Sequence, residues 1–266
     1  MRTSRDRVAK NGDGSVPFSQ SLEKGLRVLS CFDVRRPRWS FTEICAETGL
    51  AKATAFRLLR TLEALGYLEF DEENSKYHLG RSMLRSAHLV LSHSELAWAA
   101  HPFVVNLAAE TTETVVLAVW VFQAALIVDA VLTSRPFKPY DPIGLLISGV
   151  GTSHAKLFMA FGPQLARELI SEGDLERATE HTIVTPEEYA KELERVRLDG
   201  LAYDIDEWIV GMCAVSAPVF DASGEVRASL TVVVPSERFG PGDRQNHAQA
   251  AQSAALELSK KLGFSG

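Results

Sequence analysis

The sequence predicts an α+β chain of two domains: an N-terminal winged helix-turn-helix, then a linker helix, then a C-terminal mixed-sheet domain with helices packed mainly on one face. Three observations carry that prediction. Ser40 to Gly80 reads as two short helices and a hairpin, an Ala-rich apolar stretch follows, and beyond it β-branched runs lie early and late with helical patterns between them. With 266 residues and 46% apolar content, the chain can fill two packed cores. The expected divisions are an arm over 1–18, the winged domain over 19–80, the linker helix over 81–100 and the second domain over 101–266.

Residues 1–18 are rich in Arg, Asp, Gly and Ser without a periodic apolar face, which predicts a disordered arm. Its Arg2, Arg5, Arg7 and Lys10 suit phosphate contact and a solvated tail equally. From Ser21, the spacing of Leu22, Leu26, Leu29 and Phe32 predicts a first helix closing a three-helix core. Arg35, Arg36 and Arg38 around Pro37 form a basic loop beside it.

Ser40 followed by Glu43 is a capping-box pattern, so a short helix begins there, with Ile44 and Cys45 on its apolar side. Gly49 supplies the left-handed residue that stops it. In the next helix Ala55, Phe56, Leu58, Leu59, Leu62 and Leu65 make the core stripe, and Gly66 ends it. Its opposite face opens with Lys52, Ala53, Thr54 and Arg57, a small, polar and cationic set without a carboxylate. Such a face can approach DNA: Arg57 has the reach for a bidentate guanine contact, and Lys52 and Thr54 can meet bases or phosphates. Arg60 and Thr61 complete the candidate set on this helix. Alternation in Tyr67 to Phe70, a polar turn over Asp71 to Ser75, and Lys76 to Leu79 predict a hairpin wing with Lys76 at phosphate.

The charge distribution agrees with a DNA reader attached to something that does not touch DNA. The formal net charge is -6, yet through Gly80 there are 13 Lys and Arg against 11 Asp and Glu, and afterwards 15 against 23. No apolar run approaches the roughly 18 residues of a membrane span, and the opening residues lack a signal-peptide core, so a cytoplasmic protein without membrane contact is expected. Cys31, Cys45 and Cys213 are few, odd in number and scattered, which predicts reduced thiols and no zinc finger.

The segment after Gly80 reads as a linker helix, interrupted only near Pro102 by the start of the next helix. Its Leu84, Ala87, Leu91 and Leu96 predict packing against the same helix of a partner chain. His88, His93 and His101 fall there at spacings that do not share one helix face, so no metal is expected. Thr114 to Val121 and Ala125 to Leu132 read as a buried hairpin, Pro136, Pro139 and Pro142 as a loop, and His154 to Phe161 and Pro163 to Glu172 as short helices. Thr185 before Pro186 starts a helix that Gly200 stops. Gly211 to Phe220 and Val226 to Val234 form the last hairpin, and Asp243 to Leu262 the closing helix.

The chain also resembles the isocitrate-lyase-regulator (IclR) family of bacterial transcription factors. The resemblance lies in LEKGLRVLSCF, LAKATAFRLLRTLEALGYLEF, KYHLG and RLDGLAYDIDEWIVGMCAVSAPVFDASGEVRASLTVVVP, and it spans most of the chain after about Ser19. It implies a homodimer or dimer of dimers, double-stranded operator DNA and a small-molecule effector as partners, and a GAF-like or profilin-like effector domain. Carried over by motif, the effector candidates are Gly151, Thr152, Ser153, His154, Asp204, Cys213, Ala214, Thr231 and Val233, with Ile143 added from the neighbouring wall. Where the family pattern has a basic residue, Pro-Leu-His and Gly-Lys, this chain has Leu146, then Ser148, Gly149 and Val150, then Ala155 and Lys156, so the Lys remains among apolar or small neighbours. With Leu145 and Ile147 close by, the wall should be less polar than one built for a compact organic acid, which points to an amphipathic or aromatic acid or phenol.

A competing reading makes the chain a metal- or small-molecule-sensing enzyme with an N-terminal interaction module. Cys213 as nucleophile with His154 as base, or His154 with Asp204, Asp206 and Glu207 as metal ligands, would be its machinery. No nucleophile turn, phosphate loop or metal-ligand spacing supports it, so no enzyme, cofactor or metal is expected. Carboxylates holding backbone donors at a strand corner would explain the acidic cluster equally well.

Overall fold

The computed structural model describes residues 18–33, 36–92, 94–133, 135, 142–162 and 175–266. Most of the expected arm, Arg35, His93, the loop prolines 136 and 139 and the helix expected over 163–172 lie outside the described residues. The chain divides into two compact units between residues 93 and 94.

The first unit begins with α1 (Gln20–Leu29), whose Ser19 side chain accepts from the Leu22 N–H. Its buried face is Gly25 and Val28, while Leu22 and Leu26 are 62% and 54% exposed. The first half of the leucine stripe therefore faces away from the core, whereas Leu29 and Phe32 pack against it beside Val28. α2 (Phe41–Thr48) carries the full capping box and ends on left-handed Gly49. α3 (Lys52–Ala64) buries Ala55 and Leu59 and leaves Phe56 and Leu65 largely exposed, a narrower stripe than the spacing predicts. β1 (Leu68–Asp71) and β2 (Lys76–Leu79) pair antiparallel as the wing, and Tyr77 exchanges backbone hydrogen bonds with Trp39.

The apolar segment after Gly80 forms two helices, α4 (Ser82–Ser92) and α5 (Glu95–Thr111), the second capped by the Ser94 side chain. Pro102, where an interruption is expected from sequence, lies inside α5. The chain is instead reset by Ser94, which satisfies the Ala97 N–H.

In the second unit the strands β3 (Thr114–Val121), β4 (Ala124–Val131), β5 (Leu146–Ile147), β6 (Ala202–Ile205), β7 (Met212–Phe220) and β8 (Val226–Pro235) form one sheet. Their order is β5-β4-β3-β8-β7-β6, and every pairing is antiparallel. Phe122 and Gln123 turn the first hairpin, both with positive φ. One sheet face packs under α5 and α8 (Pro241–Lys261) around Val215, Leu230, Leu107 and Leu258. The other face carries α6 (Ser153–Phe161), which packs in turn on α7 (Pro186–Asp199). Helices thus cover both faces rather than mainly one. The reason is visible in β7, where seven consecutive residues are buried: a strand covered on both sides shows no polar alternation.

Candidate functional site

Two places in the chain are built to meet other molecules, one in each unit. In the first, α3 starts at Ala51 without a side-chain cap, so the Lys52 and Ala53 N–H groups carry no cap at the positive end of the helix, while the Thr54 N–H donates to the Ala51 carbonyl at 2.9 Å. Lys52, Ala53 and Arg57 are exposed, Thr54 is half-buried, and neither Lys52 nor Arg57 has an ion-pair partner among the described residues. Arg60 differs, since it pairs with Glu63 at 3.1 Å, and the Thr61 hydroxyl donates to the Arg57 carbonyl at 2.8 Å. Lys76 opens β2 and forms no ion pair among the described residues. The loop arginines are tied down: Arg36 pairs with Glu43 and stacks 3.5 Å over Trp39, and Arg38 pairs with Asp71 at 2.7 Å. The Glu43 carboxyl is held at about 2, chiefly by the Ser40 N–H, so it stays charged against Arg36 at any ordinary pH.

In the second unit a cavity of about 120 Å³ opens between the α6 face of the sheet and the segment after β6. Val116, Ile127, Leu145, Ile147, Met212 and Val233 are among its apolar walls, with Trp208 and Ile209 from the 204–211 segment. Its polar groups come from Thr114, Thr152, Ser153, His154 and Asp204. Among the described lining residues there is no lysine or arginine.

Strand register decides which hairpin residues reach this space. Ala214 pairs with Val233 and Ser216 with Thr231, and all four share a face with Thr114 and Val116. Cys213, paired with Val234, points to the opposite face into the α5 and α8 core, with its Sγ 3.3 Å from Ser236 Oγ. It is therefore not a cavity residue, because neighbouring strand positions cannot face the same way. The same fact separates it from His154 and removes the expected nucleophile and base pairing. Thr231 lies on the cavity face but behind His154, hydrogen-bonded to Ser216.

Other candidates lie outside the lining. Ile143 is 44% exposed and outside the lining, as is Leu146 at 48%, while Val150 packs in the α6 and α7 core with its carbonyl accepting from Tyr189 Oη at 3.0 Å. Gly151 is likewise not in the wall. A Cβ there would stand 2.9 Å from the Glu207 carbonyl oxygen, so glycine is what lets the 204–211 segment close against the start of α6.

The acidic cluster is absorbed internally. Asp204 Oδ1 accepts from the N–H groups of Glu207 and Trp208 at 2.9 and 3.2 Å, and Asp206 Oδ1 from Gly211 at 2.7 Å. Glu207 pairs with the buried Lys156 ammonium, which also donates to the Tyr203 carbonyl at 2.9 Å. The Lys156 that the family pattern retains is thereby turned from the cavity to the segment forming its wall. Burial pushes the Asp204 carboxyl up to about 7 against the two backbone bonds, and burial also raises Glu207. His154, wholly enclosed, is drawn down to about 4 by the same cause and is neutral at physiological pH. Among the described residues no group of three or more His, Cys, Asp or Glu could hold a metal ion. The exposed His101 pairs with Asp129 at 3.0 Å.

Sequence reasoning missed Thr114, Val116, Ile127, Trp208, Met212, Ser216 and Ser229. The signal for the strand residues was alternation against Ala214 and Val233, which becomes readable only once the β3-β8-β7 order is known.

Residues 21–72 match the model of the IclR helix-turn-helix domain, and residues 88–260 match that of the bacterial transcriptional regulator IclR C-terminal. The chain belongs to the IclR family. It is 31% identical over 246 residues to the glycerol operon regulatory protein of Streptomyces coelicolor, covering 92% of this chain and 96% of that one. An IclR transcriptional regulator from Alicyclobacillus acidocaldarius superposes with a TM-score of 0.82 at 23% identity, over 92% of this chain and 99% of the other. An IclR homologue from Microbacterium hydrocarbonoxydans, crystallised with 4-hydroxybenzoate, superposes with 0.78 at 21% identity, over 91% and 99%. These two likenesses show the fold. The chain is accordingly a transcriptional regulator with a DNA-binding helix-turn-helix and an IclR effector domain, and its relatives are named regulators rather than enzymes. Among the described residues no helix is long and apolar enough to cross a membrane.

Proposed function

We propose that this IclR regulator binds operator DNA through α3 and the wing, and that a compact amphipathic or aromatic acid or phenol in the α6 cavity modulates that binding. The observation that carries the reading is the cavity itself, about 120 Å³ with apolar walls and a polar end at Ser153, His154 and Asp204. An apolar protein cavity of about 150 Å³ takes up benzene, so the space suits one ring or a branched alkyl group. A relative of the same fold that holds 4-hydroxybenzoate is in keeping with a ligand of that size.

DNA reading rests on Lys52, Thr54, Arg57 and the uncapped Lys52 and Ala53 N–H groups at the start of α3, with Lys76 at the backbone and Arg60 in competition with Glu63. Self-association through α4, where Leu84 and Val90 are 73% and 71% exposed, would give a symmetric dimer reading two half-sites about one turn, ~10 bp, or a multiple apart. Calorimetric titration tests the effector class. Aromatic acids or phenols should bind, whereas tight binding of glyoxylate or pyruvate with no binding of aromatic compounds would overturn it.

A further inference from the structure

The effector reading just given leaves open what the polar floor of the cavity selects, and the inference here rests on that reading. Beneath the apolar walls, five buried side chains form one hydrogen-bonded system: Ser153 and His154 on α6, Ser216 on β7, and Ser229 and Thr231 on β8. Each hydroxyl has one proton to give, which limits how the protons can be shared among these contacts. Ser216 donates to Ser153 Oγ at 2.7 Å, which means its other 2.7 Å contact is made with the Thr231 proton. Ser229 Oγ lies 2.8 Å from His154 Nδ1, its one side-chain hydrogen-bond partner among the described residues, and Thr231 Oγ1 lies farther from that nitrogen at 3.3 Å. The 2.8 Å contact admits either direction; with Ser229 as its donor, the arrangement taken here, Nδ1 accepts and the ring's own hydrogen sits on Nε2. Enclosure keeps the ring neutral, in line with its lowered pKa. Two donors then remain without an acceptor among the described residues, His154 Nε2–H and Ser153 Oγ–H, and both belong to residues that line the cavity.

The lining also lacks a counter-cation. Among its described residues there is no lysine or arginine, Lys156 is held by Glu207 and Tyr203, and Asp204 is the acidic residue present. A carboxylate entering this end would lose its hydration without meeting a positive charge and would lie near an acid. We propose that the floor reads an uncharged acceptor oxygen, such as a phenol oxygen on a compact ring, through the His154 imidazole N–H and the Ser153 hydroxyl, and that it disfavours carboxylates.

Two measurements on the full chain test this. Long-range proton–nitrogen correlation spectra, with His154→Gln to assign the signal, should show a neutral ring protonated on Nε2 at pH 7. A ring protonated on Nδ1, or an imidazolium, overturns the proposal whatever the ligand. Calorimetry at pH 8 with p-cresol, p-toluate and toluene should rank p-cresol at least about tenfold tighter than p-toluate. His154→Leu should cost p-cresol roughly tenfold with little change for toluene, and His154→Gln, which keeps a neutral donor, should retain more affinity than His154→Leu. Ser153→Ala gives an independent variant and should weaken p-cresol by several-fold. Equal or tighter binding of p-toluate, an unmoved p-cresol affinity in both His154→Leu and Ser153→Ala, or no binding by any of the three overturns it. Mobility shifts with operator DNA separate the two readings. If p-cresol binds in this order yet leaves DNA affinity unchanged, the effector role falls and the donor assignment stands; if an acid controls DNA binding while the order reverses, the donor assignment falls alone.

Discussion

The buried ammonium of Lys156 is hydrogen-bonded to the Glu207 carboxylate, and this pair fastens α6 to the segment that carries Trp208 and Ile209 into the cavity wall. Thr179 and Thr182 hold the same segment from the other side, donating to the Asp206 and Glu207 carbonyls at 2.7 Å each. Breaking such a pair from one side strands a buried charge. Lys156→Met should therefore destabilise the effector domain by ~3–5 kcal/mol, and Lys156→Met with Glu207→Gln should recover much of that loss. Urea unfolding measures both; a double variant as unstable as the sum of the single ones would contradict the coupling.

Asp204 gives a pH signature. Its folded-state pKa of about 7 lies above the ordinary 3.8, so between those values the folded chain binds the extra proton, and this group's contribution to stability falls as pH rises from about 4 to about 7. Glu207, also raised, works in the same direction, and Lys156 opposes it. Asp204→Asn should flatten this slope and leave the variant relatively more stable at pH 8, by up to ~4 kcal/mol. A parent-to-variant difference that stays constant from pH 4 to 8 would show that Asp204 is not the group responsible.

The winged domain was the more legible part of this sequence because its signals are local. Ser40 with Glu43, Gly49, and the turn before Lys76 each act within a few residues, and each stands where the pattern puts it. Thr185, Pro186 and Gly200 bound their helix for the same reason. Facing was harder to read: Leu22 and Leu26 look like a core stripe, yet Gly25 and Val28 are what α1 buries. The cavity depends on strand order. Cys213 and Ala214 are adjacent in sequence and opposite in the sheet, and Ser229 reaches His154 across 75 residues. Neither relationship leaves a periodic trace.

Gly80 tests the root of the wing. A Cβ there would stand 2.3 Å from the Gly66 carbonyl oxygen, a backbone atom held by the Ser82 N–H at 3.1 Å. Gly80→Ala should cost ~1–3 kcal/mol and lower the melting temperature of the first unit while leaving cavity ligands bound as before. An unshifted melt would mean that the root of the wing yields at no cost.

Lys76 and Arg57 should differ in kind. Lys76→Ala is expected to weaken all DNA sequences alike and to flatten the salt dependence by about one unit of slope, as loss of a phosphate contact does. Salt titrations on operator and unrelated duplexes measure this; a loss confined to the operator would assign Lys76 to base reading instead.

Fluorescence anisotropy of the full chain on the duplex upstream of its own gene, with and without a ligand shown by calorimetry to occupy the α6 cavity, is the most direct test of ligand-controlled DNA reading. The predicted result is a ligand-dependent shift in operator affinity, with Arg57→Ala costing ~1–3 kcal/mol and relaxing preference at one base position. Equal operator affinity for the parent and Arg57→Ala, together with no response to the bound ligand, would contradict it.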